Sequence, residues 1–477
     1  MKPLAVLADD LTGACDTGVQ LSARGARVLV LASPEAALSE AALPEAALPE
    51  AAQPGTATPT GRAWDALVLN TESRHLPPGQ AALRVAQAAQ RLAAAGWPLR
   101  YKKIDSTLRG ALAAELAALR PAATLVVCPA FPAAGRTVQR GVLCVAGVPV
   151  HESEIGRDRL NPVPESHLPT LLGSLGRVGQ IGAVDLELGR PGVALRLGEL
   201  RRQGAALVVC DASTDAHLEA LAAALLSAWR ADAAPLVAIG SAPLVAIGSA
   251  PLVAVGSAPL VAVGSAGLAR ALAAGLLPKP GAPAQPPRFP CPGPVLVLAG
   301  SRTAVTRAQV QALLGQPGVH SLVLDAAPLD APDWDAHAGT WVAARTAELA
   351  EAARAGAEAL LLTVAPGDAA AEEAARYALR SQRLNAALGA LVAALAGRVA
   401  LGGLVLTGGD IARAALAALG GEALQLGAEM LPGIPLGWPV GGAQPGLPVV
   451  TKAGGFGAPQ ALCEAVHFLR HGGAQSC

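Results

Sequence analysis

The chain has 477 residues, zero formal net charge and a near-neutral pI, which gives no electrostatic footprint for nucleic acid or an anionic membrane. That length suffices for two or three domains, and 52% hydrophobic residues with only 3% aromatics predict cores of alanine, valine and leucine. Seven cysteines without a CxxC pair exclude a disulfide framework and a structural zinc site, and fit a reducing, cytoplasmic setting.

The opening MKPLAVLADDLTG turns acidic too soon for a signal peptide. Residues 4–8 (LAVLA) read as a buried parallel strand emptying into Asp9-Asp10, then a helix to Arg24 and a strand over 27–31, a βαβ opening. From 33 to 61 an EAALP-type repeat is too proline-rich to fold alone and predicts a surface insertion. A strand over 66–69 ends in NTESRH (70–75), and a helix follows over 80–95.

The stretch 101–110, YKKIDSTLRG, packs two lysines, an aspartate, two hydroxyls and an arginine between a strand and a helix over 111–119. It reads either as an anion site or as an ordinary N-cap supplied by Asp105-Ser106-Thr107. Further strands over 125–128 and 206–210 also finish in polar or Gly/Pro-rich text, so the candidate chemistry collects at one edge of one parallel sheet. Four near-copies of PLVAIGSA begin at Pro235, Pro243, Pro251 and Pro259. Those prolines break any membrane helix in the charge-free segment between Asp232 and Arg270. Only the last copy runs into a helix, and it is expected to be the structural strand.

A Pro-rich linker at 278–294 separates an N-terminal domain (1–277, with insertions at 33–61 and 235–258) from a C-terminal domain (295–477). The C-terminal part carries three strand-end glycine loops: GSRT (300–303), TGGDIA (407–412) and KAGGFG (452–457). Together they point to a nucleotide-phosphate site, because glycine lets backbone N–H groups approach phosphate oxygens. Neither a GxxxxGK[ST] loop nor a GxGxxG dinucleotide fingerprint is present. The fold class expected is α/β, two domains with largely parallel sheets flanked by helices.

In the N-terminal part, adjacent carboxylates at Asp9 and Asp10 are costly unless they meet a cation or accept protons. The bland alternative exposes one and lets the other cap the helix. Arg74 offers a planar fork suited to a carboxylate, or is a surface arginine. His151-Glu152-Ser153-Glu154 lacks HExxH spacing and is rejected as a metalloprotease motif.

Taken in order, ADDLTGACDTG, NTESRH, KKIDSTLRG, CPAFPAAGRT, VPVHESEIGRDRLNPVPES, VGSAGLA, AGSRTAVTR, TGGDIARA, LPGIPLG and VTKAGGFG resemble the four-carbon acid sugar kinase family over nearly the whole chain. The resemblance implies an acid-sugar-binding domain followed by an ATP-binding domain. It implies ATP- and Mg2+-dependent phosphorylation of the terminal (C4) hydroxyl of threonate, erythronate or 3-oxo-tetronate. Carried onto this chain, the acceptor site falls on Asp9, Asp10 or Asp105 as the carboxylate at the hydroxyl, with Arg74, Lys103, Ser106, Thr107 and Arg109 binding substrate. The ATP site falls on Ser301, Gly408, Gly409, Lys452, Gly454, Gly455, Phe456 and Gly457, with Lys452 steadying phosphate charge. The partners implied are a small sugar acid and ATP, with homo-oligomer formation left open. A non-catalytic sugar-acid or nucleotide sensor is the competing class.

Overall fold

In the computed structural model, the described residues are 4–35, 64–158, 161–231, 258–277, 293–300, 303–364 and 374–472. Most of the 33–61 insertion, the first three PLVAIGSA copies, most of the linker, and Ser301 lie outside them. Two compact units emerge, one mainly from residues up to 279 and one mainly from 280 onward, with residues 29–35 grouping with the second.

The first unit takes in β1 (Leu4–Ala8), α1 (Leu11–Ser22) and, after β2 (Val28–Leu31), which groups mostly with the second unit, β3 (Ala66–Asn70), α2 (Pro78–Ala94), β4 (Leu99–Lys103) and α3 (Leu112–Leu119). It continues with β5 (Thr124–Cys128) and a small antiparallel sheet of β6 (Arg136–Gln139), β7 (Val142–Val145) and β8 (Val148–Pro149). Then follow α4 (Leu168–Leu172), β9 (Val178–Ile181), α5 (Ala183–Glu187), α6 (Gly189–Arg202), β10 (Leu207–Cys210), α7 (Asp215–Ala231), β11 (Leu260–Gly264) and α8 (Ala266–Leu276). Its main sheet runs β3-β1-β4-β11-β5-β10-β9, all parallel. Continuous apolar runs make this possible. Every residue of β1, β3, β5, β10 and β11 is buried, as strands covered on both faces require.

The last PLVAIGSA copy supplies β11, and Ser265 caps α8 by accepting from the Gly267 amide at 3.2 Å. After β1 the chain places β3 on one side of it and β4 on the other. In parallel sheets such a reversal opens a crevice at the strands' carboxyl ends. Asp9, Asn70–Arg74 and Lys103–Asp105 all leave from that point.

The second unit comprises β12 (Val295–Ala299), α9 (Ala304–Leu314), β13 (Val319–Leu324), α10 (Trp334–Arg354), β14 (Ala359–Val364), α11 (Ala374–Ala396), β15 (Gly403–Thr407) and α12 (Gly409–Ala418). It ends with β16 (Ala423–Leu431), β17 (Ile434–Val440), β18 (Val449–Lys452) and α13 (Ala461–His471). Strands β13-β14-β12-β15-β18 are parallel, and β17 and β16 continue the sheet antiparallel. Val297, Leu361, Val405, Trp438 and Leu462 lie in its apolar core. Among the described residues, no helix is long and apolar enough to cross a membrane.

Gly264 ends β11 where backbone must come close. A Cβ there would lie 2.6 Å from the Cys128 carbonyl oxygen and 2.8 Å from the Tyr101 hydroxyl. Its own carbonyl accepts from the Ile104 amide at 2.9 Å, next to Asp105. Gly264→Ala should therefore cost about 1–3 kcal/mol of stability, read as a lower thermal midpoint. An unchanged midpoint would contradict the packing described.

Candidate active site

Three carboxylates converge on one guanidinium. Arg74 Nε and Nη2 donate to Asp9 Oδ2 and Oδ1 at 2.8 and 3.0 Å, a two-pronged pairing of fork and carboxylate. The same Nη2 lies 2.7 Å from Asp10 Oδ1 and 3.9 Å from Asp105 Oδ1. The loop carrying Arg74 is lashed to β1: Thr71 donates its amide and its hydroxyl to the Ala8 carbonyl, each at 2.8 Å, and the Arg74 amide reaches the Asp9 carbonyl at 3.2 Å. Arg74 is buried, so the reading of it as a surface arginine fails.

Asp9 is buried rather than exposed. Burial works against its charge, but Arg74, Lys102 and Lys103 outweigh it and hold the carboxyl below its ordinary value. Asp10 is the N-cap of α1: its Oδ1 accepts from the Gly13 amide at 2.9 Å and its Oδ2 from the Thr12 hydroxyl at 2.5 Å. Its side chain is 14% exposed, against 4% for Asp9 and 10% for Asp105, so it is the most open of the three.

Asp105 does not cap a helix. The N-cap of α3 is Ala111, with no side-chain bond. Instead Asp105 takes Arg109 Nε at 2.8 Å and Nη2 at 3.1 Å, and the Thr107 hydroxyl as well. Burial opposes its charge, while Arg109 and then Arg74 drive the carboxyl well below its usual range. Arg109 also reaches Asp158 at 3.6 Å. Both site loops hold a non-glycine residue in the left-handed region, Glu72 at φ 50° and Leu108 at φ 64°. Such strain persists where surrounding contacts enforce it.

Lys103 is buried at the end of β4, facing the first turn of α1. A Cβ on Gly13 would fall 2.9 Å from its Nζ and 2.5 Å from Asp10 Oδ1. Its ammonium makes no hydrogen bond or ion pair within 4 Å to any described residue. Ser106 and Thr107 are buried beside it. Arg136, quoted only as part of CPAFPAAGR in the sequence, starts β6 within the field of Asp105, Arg109 and Asp16. Burial lowers its guanidinium from the usual value. Its place at the site depends on the β6–β8 sheet, which no local pattern announces.

The second unit sets its glycine loops side by side. Ala299, Thr407 and Lys452 are in register across β12, β15 and β18, so all three loops leave one sheet edge. Gly408 caps α12 at φ 103°, its amide on the Lys452 carbonyl at 2.9 Å. Lys452 Nζ donates to the carbonyls of Ala453, Phe456 and Gly454 at 2.9, 3.1 and 3.4 Å. Burial pushes this amine down to about 8, while three acceptors for its three N–H groups favour the charged form. Gln309 Nε2 holds the carbonyls of Phe456, Gly457 and Ala458, and Thr303 and Thr306 hold that of Gly454. The carbonyls of 452–458 are thus largely fixed by side chains. The Gly454, Gly455 and Gly457 amides, by contrast, donate to no described residue. Lys452 is therefore the brace of this loop in the structure.

A family model described as a sugar-binding N-terminal domain matches residues 4–248, and one described as a nucleotide-binding C-terminal domain matches residues 296–462. The chain belongs to the four-carbon acid sugar kinase family. It is 36% identical to a D-threonate kinase of Bordetella bronchiseptica, covering 98% of this chain and 97% of that protein. It is 32% identical to a 3-oxo-tetronate kinase of Methylobacterium radiotolerans, over 98% and 99%. A solved Salmonella typhimurium protein shares the fold with a TM-score of 0.69 at 24% identity, covering 98% of this chain and 99% of that one.

Because the folded value of Asp105 lies below the ordinary 3.8, the stability it contributes is fully present above that ordinary value. It is lost as pH falls through the lower folded value. Asp105→Asn should flatten the fall of stability below about pH 4, measured by urea unfolding across the acid range. An acid slope equal to wild type would contradict the pairing.

Proposed function

We propose that the chain is an ATP-dependent kinase that phosphorylates the C4 hydroxyl of a four-carbon sugar acid. The observation that carries this reading is Lys103, a largely buried residue whose ammonium makes no hydrogen bond or ion pair to a described residue, beside carboxylates that Arg74 already satisfies. An acceptor with a carboxylate at one end and a hydroxyl at the other suits such a site. Full-length relatives named as kinases of sugar acids support the same reading.

Lys103 meets the anionic and polar end of the acceptor by charge-assisted hydrogen bonds, with Arg109, Ser106 and Thr107 on the same turn. Asp10 orients the attacking hydroxyl and takes its proton, since it is the most open carboxylate of the cluster. Asp9 and Asp105 keep Arg74 and Arg109 in place. In phosphoryl transfer, positioning and charge neutralisation dominate, and a weak base suffices.

For the nucleotide, the amides of Gly454, Gly455 and Gly457 fit phosphate oxygens, and the Gly408–Gly409 turn adds the start of α12. Among the described residues no group of three or more acidic, His or Cys side chains forms a protein metal cage. Mg2+ bound with the nucleotide would neutralise the charge of its phosphates.

A coupled ADP-release screen over D- and L-threonate, D- and L-erythronate and their 3-oxo forms tests this. Wild type should turn over at least one. Asp10→Asn and Lys103→Ala should each lose about 10²-fold or more while folding normally. Binding of a sugar acid without ADP release would favour the sensor instead.

A further inference from the structure

Strand β4 sends neighbouring lysines to opposite faces. Lys103 reaches α1, whereas Lys102 turns toward α3, where its Nζ lies 2.7 Å from Glu115 Oε2. Both side chains are sealed from solvent, at 0% and 3% exposure. A buried ion pair is a poor device for stability, because apolar side chains of similar shape often serve as well or better. This one makes a second contact: Lys102 Nζ donates to the Lys103 carbonyl at 2.9 Å. The other end of the same peptide unit is held too, since the Ile104 amide donates to the Gly264 carbonyl at 2.9 Å. The peptide between Lys103 and Ile104 is therefore pinned from both sides, immediately before Asp105.

We propose that the Lys102–Glu115 pair is a positioning device for the acceptor site, fixing the 103–104 peptide and thereby aiming Lys103 and Asp105. The proposal rests on the kinase reading. Lys102 touches no substrate in this account; it acts through the strand and through its charge. Asp9 is faced by Arg74 from the β3 loop and by Lys102 and Lys103 from β4, and it shares Arg74 with Asp10 and Asp105. Removing Lys102 takes one cation from that set, so Asp9 should bind its proton more readily.

The test compares Lys102→Met, Glu115→Leu and the double variant. Each single variant strands a buried charge and should lower the thermal midpoint. The double variant removes both charges and should recover it. Its kcat should nevertheless stay about tenfold or more below wild type, with KM for ATP unchanged, because the peptide is no longer held. The acid limb of its kcat/KM profile should move up by roughly half a pH unit or more. A double variant with wild-type kcat and an unmoved acid limb would overturn the proposal and leave the pair a structural contact. Should the double variant not fold, Lys102→Arg decides: it keeps the charge but cannot reproduce both contacts. A lowered kcat with the acid limb in place supports the proposal, and full kcat overturns it. A wild-type chain inactive on every acid of the screen would overturn the kinase reading and this proposal together.

Discussion

One guanidinium neutralises the strand ends of the first unit. Asp9, Asp10 and Asp105 come from two different strand ends, and three carboxylates this close repel unless a cation lies among them. Arg74 supplies that cation from a third strand end, with a rigid fork that grips Asp9 by both oxygens and shares its Nη2 with Asp10. Parallel pairing is what makes the meeting possible. The registers Ala8↔Asn70 and Ala8↔Lys103 bring all three loops off the sheet at one level. With the acids satisfied by Arg74 and Arg109, the Lys103 ammonium makes no hydrogen bond or ion pair to a described residue.

The two units arrange their polar groups by different chemistry. The first uses side-chain cations and carboxylates in a buried cluster. The second uses backbone. Its loop carbonyls are held by Lys452, Gln309, Thr303 and Thr306, which leaves the Gly454, Gly455 and Gly457 amides without an acceptor among the described residues. Rigid donors of that kind need no reorganisation when charge shifts during transfer.

Much of this was legible in the sequence because apolar runs and turn residues act locally. The strand–helix alternation, the use of the last PLVAIGSA copy as β11 and the gathering of polar strand ends at one sheet edge follow from pattern alone. Side-chain partnership was not legible. Asp105 looked equally suited to cap a helix, and only the left-handed turn at Leu108 carries it back to Arg109. Nothing local shows that Asp9, 65 positions away, occupies the fork of Arg74. The two adjacent lysines of β4 differ only in which face each takes. The lone acid of α3, Glu115, was the available signal that one of them would be paired internally. The three carbonyl contacts of Lys452 depend on a loop closing over it, which no local pattern shows.

The central claim is that Arg74 organises the acceptor carboxylates and does not itself hold the substrate. Steady-state kinetics of Arg74→Lys on whichever sugar acid the wild type accepts test it most directly. Lysine keeps the charge but cannot reproduce the paired bonds to Asp9. The account predicts a kcat reduced by about tenfold or more with little change in KM for the sugar acid. A raised KM with wild-type kcat would show that Arg74 grips the substrate, and would contradict it.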